Sequence, residues 1–378
     1  MFRYEYRGDF SNDHKACKDL ISIIMNYKIV KIRSNHSVSK QRPILIIYTG
    51  GTIGMVQDAT GSLEPFNFMK AMEHIPELSR IEVELTVISL PKPIDSSNVS
   101  IGVWQALGYI IYENYDQYDG FVILHGTDTM AYSASALSFM LEGLAKPIIF
   151  TGAQIPIGML RSDARENLIT SIEIAVNQRN GRPLVKEVCI YFNLRLYRGN
   201  RSQKMRSSTF AAFDSQNYPL LAESGIDISY NEAALAKPNG LASFRLHEDF
   251  DDNVAVLKIF PGINKEVVAS ILGIKNLKGV ILETFGSGNI PSESWFIECL
   301  EKAVKKQIII LNVSQCSGGE VIQGRYETSK KLSEVGIISG GNITTESALT
   351  KLMLLLGTKK SHEIVKSLLA SPMNGEMD

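Results

Sequence analysis

Short, wholly apolar runs that end in small or polar residues recur along the chain, and they constrain its fold more than any other feature. The first run is Ile44–Tyr48, which passes directly into Thr49-Gly50-Gly51. Three further runs follow in the first half of the chain: Phe121–Leu124, Pro147–Phe150 and Val188–Phe192. Continuous apolar runs of this length are typical of strands that are buried on both faces of a parallel sheet.

Helical patterns separate these runs. After the second run, apolar residues repeat with helical spacing on one face: Met130, Ala134, Leu137, Leu141 and Leu144. The alternation resumes in the second half, where we predict strands Val254–Phe260, Val280–Glu283 and Ile308–Val313 and helices Ser292–Lys306 and Thr345–Leu356. Strands that alternate with helices predict parallel sheets covered on both faces. The fold class is therefore α/β, with two domains of parallel-sheet type and flanking helices.

Composition shifts suggest where the domains meet. Residues 1–42 carry mixed charge and weak periodicity, which favours an N-terminal extension, and we assign them no function. Residues 226–252 lack long apolar runs and contain Pro238-Asn239-Gly240, which is typical of a linker. We thus expect an N-terminal α/β domain at 43–225 and a C-terminal α/β domain at 253–378. Ligands of open parallel sheets bind beyond the carboxyl ends of the strands, so the site is expected there in the larger N-terminal domain.

Charge and cysteine content narrow the classes of function. The chain carries 39 Lys and Arg against 40 Asp and Glu, so it lacks the strong positive field that would gather nucleic acid or anionic lipid. No apolar run approaches the roughly 20 residues of a membrane-spanning helix. The four cysteines form no CxxC pair, and no secretory signal is recognisable at the N-terminus. We expect a cytoplasmic protein without nucleic-acid or membrane partners.

A threonine-rich loop follows the first strand. Its glycines Gly50, Gly51 and Gly54 match neither the GxxxxGK[ST] nor the GxGxxG spacing, which argues against nucleotide binding. Thr52 lies on this tight turn. The loop is either an ordinary glycine-rich turn or a turn that positions the Thr52 hydroxyl as a nucleophile. A threonine hydroxyl attacks a carbonyl only with a neighbouring base or an electrostatic aid.

A second loop offers a hydroxyl beside a carboxylate, Thr127-Asp128, at the start of a predicted helix. Thr and Asp are common helix caps, so capping and catalysis are both open here. His125 is more typical of a buried structural histidine than of a general base. Lys204 lies in the basic stretch Arg198–Arg206, where a solvated charged face is the ordinary expectation.

Several ordered motifs resemble the cytoplasmic type I L-asparaginases of the bacterial-type asparaginase family. They are YTGGTIGM at 48–55, DSS at 95–97, HGTDTMAYSASALSFML at 125–141, LYRGNRSQK at 196–204 and SGGNITTESALTKL at 339–352. The resemblance implies two α/β domains, a homodimer or homotetramer, and hydrolysis of L-asparagine to L-aspartate and ammonia without a cofactor or a metal.

The resemblance also implies roles for particular residues. By position, Thr52 is similar to the family's nucleophile, which forms an acyl-enzyme with the substrate. Thr127, Asp128 and Lys204 are similar to its second triad. A Lys204–Asp128 pair suits this chemistry, because it would orient the Thr127 hydroxyl to activate water or relay a proton.

Asp95, Ser96 and Ser97 match the segment that contacts the α-carboxylate and α-amino groups of the substrate in that family. A zwitterionic amino acid needs an acceptor for its ammonium, for which Asp128 is suited. It also needs donors for its carboxylate, for which the Ser96 hydroxyl and nearby backbone N–H groups are suited.

One departure from the family concerns the segment after the nucleophile. Relatives often carry a tyrosine there that is thought to assist catalysis, whereas this chain has none between Ile53 and Met69. Ser62 lies near the expected place, with Phe66 and Phe68 beyond it. Water, Ser62 or the Thr127 group are alternative acceptors for the proton of the nucleophile.

Two other functions compete with an asparaginase. The first is the asparaginase-like subunit of a tRNA-dependent amidotransferase, although residues 1–42 are too short for the extra β-rich domain that such subunits usually carry. The second is a non-catalytic amino-acid sensor that retains the pocket. In the second half, Gly286–Asn289 and Ser314–Gly319 are either ordinary turns or part of a partner or effector surface.

Overall fold

A computed structural model of the protein describes residues 27–33, 42–54, 56–57, 63–64, 75–237, 243–322 and 327–378. Within these residues the chain forms one large sheet and one small sheet, each with helices packed against it. The predicted α/β class is therefore confirmed.

The large sheet contains nine of the described strands. In chain order they are β1 (Lys28–Arg33), β2 (Arg42–Tyr48), β3 (Val83–Ser89), β4 (Gly120–Leu124), β5 (Ile148–Thr151), β6 (Val188–Phe192), β7 (Arg195–Arg198), β8 (Ala222–Ser224) and β9 (Ile228–Tyr230). Their spatial order is β1-β3-β2-β4-β5-β6-β7-β8-β9. Five neighbouring strands run parallel, namely β3, β2, β4, β5 and β6, and antiparallel strands extend both edges of the sheet.

The smaller sheet lies in the C-terminal part of the chain and is wholly parallel. Its strands, in both chain and spatial order, are β10 (Val254–Lys258), β11 (Gly279–Thr284), β12 (Ile309–Ser314) and β13 (Ile338–Ser339). Short two-residue strands elsewhere form hairpins or bridges: Val56–Gln57 with Leu63–Glu64, Gln178–Arg179 with Arg182–Pro183, Gln203–Lys204 with Phe213–Asp214, and Leu141–Glu142 with Arg245–Leu246.

Eight described α-helices connect the strands. They are α1 (Ile101–Asn114), α2 (Met130–Met140), α3 (Ala164–Val176), α4 (Lys265–Leu272), α5 (Ser294–Lys305), α6 (Glu327–Val335), α7 (Thr345–Gly357) and α8 (His362–Leu369). Alternate side chains of β2 enter different apolar layers: Ile46 packs in the layer of α3, and Ile47 in the layer of α1 and α2. Burial on both faces explains why the strand sequence is continuously apolar.

The strand order places one topological switch point in the large sheet. From β2 the chain moves to one side to form β3 and then returns to the other side to form β4. In open parallel sheets the loops on either side of such a point diverge and leave a crevice beyond the strand ends. The loops that follow β2 and β4 contain Thr52 and Thr127, so the topology brings both to this crevice.

Three details differ from the sequence predictions. The helix expected to include Leu144 ends at Met140, because the backbone turns into a short strand and Gly143 adopts a φ of 73°. Lys28–Arg33, expected to lie in an extension, pairs antiparallel with β3 at the sheet edge. Ile228–Tyr230, expected to lie in a linker, pairs with β8. The domain division at 43–225, 226–252 and 253–378 stays a prediction.

No helix in the described part of the chain is long and apolar enough to cross a membrane.

Candidate active site

Three loops meet at the switch point. The backbone N–H and the hydroxyl of Thr49 both donate to the Leu124 carbonyl, at 3.0 and 2.9 Å, and so tie the end of β2 to the end of β4. The Ile94 N–H donates to the Thr49 carbonyl at 2.7 Å, which brings in the loop after β3. The ends of β2 and β4 and the loop after β3 therefore lie together on one side of the crevice.

Glycines let these loops approach at backbone distance. Gly50 has a φ of 136°, and a methyl group built on it would lie 2.3 Å from the Ile94 carbonyl oxygen. Gly51 has a φ of 86°, and a methyl group there would lie 2.5 Å from the backbone nitrogen of Gly126. Only glycine tolerates both the backbone conformation and the contact. Thr52, half-buried at the start of the short 3₁₀ helix Thr52–Gly54, directly follows this contact.

The predicted Thr127, Asp128 and Lys204 group assembles in the structure. The Lys204 Nζ donates to the Thr127 Oγ1 at 2.7 Å and to the Asp128 Oδ1 at 2.6 Å. The Lys204 side chain is 17% exposed and that of Asp128 is 65% exposed, so the ion pair spans the boundary between the protein and the crevice. Because the ammonium occupies the Thr127 oxygen as a donor, the hydroxyl hydrogen of Thr127 is left to donate elsewhere.

A hairpin places Lys204. It pairs with Phe213 in the two-residue ladder Gln203–Lys204 with Phe213–Asp214, directly after the buried turn Gly199–Arg201. The expectation of a solvated basic face is wrong for Arg198 and Arg201, which are only 7% and 2% exposed, whereas Arg206 is exposed. Arg198 pairs with the buried Glu187, and Arg201 pairs with the Asp378 carboxylate.

The alternative in which Thr127-Asp128 caps α2 is also wrong. The residue at the N-cap position is Thr129, and its side chain makes no capping bond. Its hydroxyl instead donates to the Ser96 carbonyl at 2.7 Å, joining the loop after β4 to the segment after β3. The Thr127 and Asp128 side chains are thereby left for contacts with Lys204.

The Asp95–Ser97 segment lies against this loop. Ser96 is 3% exposed, and its Oγ lies 2.6 Å from where a methyl group on Gly126 would stand. The Asp95 carboxylate accepts a hydrogen bond from the Ser97 N–H at 3.0 Å, which lowers the pKa of Asp95. Asp95 and Ser97 are exposed at the crevice, whereas Ser96 is held beneath them.

His125 is a structural residue of the loop. Its Nδ1 lies 2.7 Å from the Gly126 carbonyl, which can only accept, so Nδ1 carries the hydrogen and Nε2 accepts from the Ser133 hydroxyl at 3.0 Å. The Trp104 Nε1–H donates to the same hydroxyl. Burial lowers the pKa of His125 to about 4, so the ring is neutral and both nitrogens are occupied.

Gln154 was missed by the sequence analysis. Its Nε2 donates to the carbonyls of Ser207 and Thr209, so its Oε1 must face the Thr127 hydroxyl, 3.4 Å away. The backbone N–H of Gln154 is held by the Asp163 carboxylate at 3.0 Å. Gln154 follows β5, so the rule that polar residues after strands matter would have found it.

Ser62, Phe66 and Phe68, the residues named above in the segment after the nucleophile, lie outside the described residues. The Thr127 group, the other side-chain alternative for accepting the proton of Thr52, is the one described above. Gly286–Asn289 forms a tight turn, closed by the Asn289 N–H donating to the Phe285 carbonyl at 2.8 Å. In the described residues no group of three or more His, Cys, Asp or Glu side chains is placed to hold a metal ion.

Known proteins are similar to this chain over most of its length. Residues 43–236 match the family model for the asparaginase N-terminal domain, and residues 253–369 match that for the glutaminase/asparaginase C-terminal domain. The L-asparaginase 1 of Escherichia coli (strain K12) is 39% identical over 340 residues, which cover 89% of this chain and 98% of that protein. The 60 kDa lysophospholipase of Homo sapiens is 38% identical over 90% of this chain and 62% of its own length.

A solved structure is similar throughout. The crystal structure of L-asparaginase I from Vibrio cholerae O1 biovar eltor matches with a TM-score of 0.81 and 40% sequence identity, covering 90% of this chain and 100% of that one. The family models, the relatives and the shared two-sheet architecture lead to one conclusion. The chain belongs to the asparaginase family.

Proposed function

We propose that this protein is an L-asparaginase, which hydrolyses the side-chain amide of L-asparagine to L-aspartate and ammonia with Thr52 as the nucleophile. The observation that supports the proposal is the backbone contact of Gly51 with Gly126, because these glycines directly precede Thr52 and Thr127, and Lys204 donates to both Thr127 and Asp128. The E. coli relative, 39% identical, bears the name L-asparaginase 1.

In the first half of the reaction, the Thr52 Oγ attacks the side-chain carbonyl carbon of asparagine. The C–N bond breaks, the proton of Thr52 ends on the leaving ammonia, and an aspartyl ester of Thr52 remains. Negative charge develops on the carbonyl oxygen during this step. Backbone N–H groups of the loops around Gly51 and Gly126 are suited to stabilise it, because their positions are set before the substrate binds.

In the second half, water cleaves the ester, releasing aspartate and restoring the Thr52 hydroxyl. The Thr127 hydroxyl is held between the Lys204 ammonium and Gln154, which fixes its direction. A hydroxyl oriented in this way can position the attacking water or pass its proton along the Lys204 and Asp128 pair.

Substrate recognition follows from charge. The α-ammonium of asparagine needs an acceptor, and the Asp128 carboxylate is the exposed carboxylate adjoining Thr127. The segment Asp95–Ser97 supplies hydroxyl, backbone and carboxylate groups at the same crevice. Selection of asparagine over glutamine depends on one methylene, which a pocket typically distinguishes by about 1–3 kcal/mol.

Assembly into a homodimer or homotetramer and a cytoplasmic location belong to the same proposal, as implied by the family resemblance. The alternative of a silent amino-acid sensor is less favoured because Lys204 forms both contacts expected of a working triad. The alternative of an amidotransferase subunit is less favoured because the E. coli relative, which bears the name L-asparaginase 1, is 39% identical and is matched over 98% of its length.

The proposal is tested by incubating the purified full chain with L-asparagine or L-glutamine in the absence of ATP and RNA, over a range of concentrations, and measuring ammonia. We expect saturable ammonia release from L-asparagine, with one aspartate formed per ammonia. Release of ammonia only when a charged tRNA is added would favour the amidotransferase alternative. Asparagine binding without any ammonia would favour the sensor.

A further inference from the structure

Residues 373–378 lie between the two domains and are held from the C-terminal side by a buried ion pair. The Lys351 Nζ lies 2.6 Å from the Glu376 Oε1, and both side chains are fully buried. The other bonds to the Glu376 carboxylate come from the backbone N–H groups of Met373 and Asn374, at 3.0 and 2.8 Å. Lys351 belongs to α7, so this carboxylate fixes the segment on the smaller domain.

The same segment is held from the N-terminal side by the turn Gly199–Arg201. The Gly375 carbonyl accepts from the Arg201 Nε at 2.7 Å, and the Asn374 carbonyl accepts from the Asn200 Nδ2 at 3.1 Å. The Arg201 Nη2 lies 2.8 Å from the Asp378 Oδ1. These bonds join the turn to Asn374, Gly375 and Asp378 of the segment.

Arg201 is the centre of this contact. Its side chain is 1% exposed, and its third bond runs from Nη1 to the Asn342 Oδ1 at 3.0 Å, in the smaller domain. The Asn342 Nδ2 in turn donates to the Asp378 Oδ2 at 2.6 Å. A guanidinium this deeply buried requires such partners, because desolvation strongly disfavours an unpaired charge. Arg201 therefore joins its turn rigidly to the smaller domain.

The segment contacts the two elements that carry the triad. Asn374 donates through its Nδ2 to the Ser138 carbonyl on α2, and α2 begins directly after Thr127-Asp128. The turn Gly199–Arg201 leads through Ser202 and Gln203 into Lys204, and the Ser202 hydroxyl closes the turn on the Arg198 carbonyl at 2.7 Å. Residues 373–378 thus contact both the element next to Asp128 and the turn that leads to Lys204.

We propose that residues 373–378 form an interdomain clamp that positions Lys204 on Thr127 and Asp128, and that Arg201 is the positioning residue through which the clamp acts. This inference rests on the proposed function, because the triad must work in catalysis for its positioning to matter. The clamp touches none of the reacting groups. Its effect is therefore expected in turnover rather than in substrate binding.

The test uses the full chain with Arg201→Lys, which keeps the positive charge but cannot reach all three partners of the guanidinium fork. We expect kcat for asparagine to fall about 10-fold while KM changes by less than about 2-fold. Arg195→Lys is the matched control. It lies on β7, four residues before the first residue of the turn, in an exposed pair 3.7 Å from Glu223, and should leave kcat unchanged.

A double-mutant cycle separates positioning from a general loss of stability. In a Lys204→Ala background, Arg201→Lys should change the residual kcat by less than about 2-fold, because the group to be positioned is gone. Additive losses, or an unchanged kcat in Arg201→Lys alone, would overturn the clamp. If Arg201→Lys does not fold, Asp378→Ala takes its place. Among the described residues, the exposed Asp378 carboxylate bonds to Arg201 and Asn342 alone, and about a 3-fold loss with the same non-additivity is expected.

The outcomes for the clamp and for the proposed function remain distinct. A wild-type chain that releases no ammonia from asparagine contradicts the function itself. A wild-type chain that is active, and loses activity in Lys204→Ala but not in Arg201→Lys, contradicts the clamp alone.

Discussion

Gly51 and Gly126 touch backbone to backbone, with only 2.5 Å between the Gly126 nitrogen and the position that a methyl group on Gly51 would take. Each glycine directly precedes a threonine of the candidate site, Thr52 in one loop and Thr127 in the other. The contact therefore sets the spacing between the proposed nucleophile and the group that includes Lys204.

Gly51→Ala should disrupt this spacing. The methyl group must displace the Gly126 backbone, and the φ of 86° is itself unfavourable for alanine, so we expect a loss of about 2–4 kcal/mol in the free energy of unfolding. A shift of the loop by about 1 Å would lower kcat/KM by about 100-fold. Chemical denaturation and ammonia release measure the two effects.

Gly181→Ala is the control for Gly51→Ala. Gly181 has a similar φ of 73°, but nothing lies within 4 Å of the position of its methyl group. It should lose about 1 kcal/mol of stability from backbone strain and retain full activity. Full activity in Gly51→Ala would show that the contact does not set the site.

Lys204→Ala should lower turnover far more than it weakens binding. Its ammonium holds Thr127 and Asp128 at 2.7 and 2.6 Å, and both contacts are expected to matter most when a proton moves. We expect kcat to fall by about 10²–10⁴-fold with KM changed by less than about 3-fold. Lys305→Ala, an exposed lysine paired with Glu301 on α5, should have no effect. A loss confined to KM would reassign Lys204 to substrate positioning.

Asp128→Asn should raise KM. The neutral amide keeps the shape of the side chain but removes the charge that would face the α-ammonium of asparagine. Charge-assisted hydrogen bonds contribute about 1.5–3 kcal/mol, so a 10- to 100-fold increase in KM is expected. Steady-state kinetics on asparagine and on an analogue without the α-amino group measure it. An equal penalty for both substrates would place the ammonium elsewhere.

His125 should make stability depend on pH without controlling catalysis. The folded chain keeps the ring neutral, with a pKa lowered to about 4 from 6.5, so the unfolded chain binds the proton between these values. The stability that the neutral ring contributes to the folded chain is fully present above pH 6.5. Roughly 3 kcal/mol of it is lost as the pH falls toward 4. Urea unfolding at pH 7 and pH 4 measures the loss.

His125→Gln serves as the comparison. Between pH 7 and pH 4 it should lose roughly 3 kcal/mol less stability than the wild type. The same pH dependence in wild type and His125→Gln would mean that the buried ring does not titrate as described.

The sequence predicts the strands well because burial on both faces leaves a continuous apolar run, as in β2, β4 and β6. It also predicts that Thr52 and Thr127 follow strands at one edge of the sheet, and they do follow β2 and β4. Composition could not reveal β1 and β9, because these edge strands mix exposed polar residues such as Lys31 and Ser229 with their apolar ones and so carry a weak apolar signal.

Long-range contacts set the remaining limits of prediction. The sequence around Arg201 and Lys204 predicts a solvated basic face because their ion-pair partners are distant in sequence. These partners are Asp378 for Arg201 and Asp128 for Lys204. The position of Gln154 after β5 marks it as a candidate, but its orientation depends on the carbonyls of Ser207 and Thr209, which no local pattern connects to it. Motif resemblance identified Lys204 where local chemistry pointed elsewhere.

The most direct test of Thr52 as the nucleophile is ammonia release from L-asparagine by Thr52→Ala, with Thr52→Ser as the matched variant that keeps a hydroxyl. We expect Thr52→Ala to lose at least about 10⁴-fold in kcat while its unfolding transition stays that of the wild type. Thr52→Ser should retain part of the activity. Release of ammonia by Thr52→Ala at the wild-type rate would contradict the account.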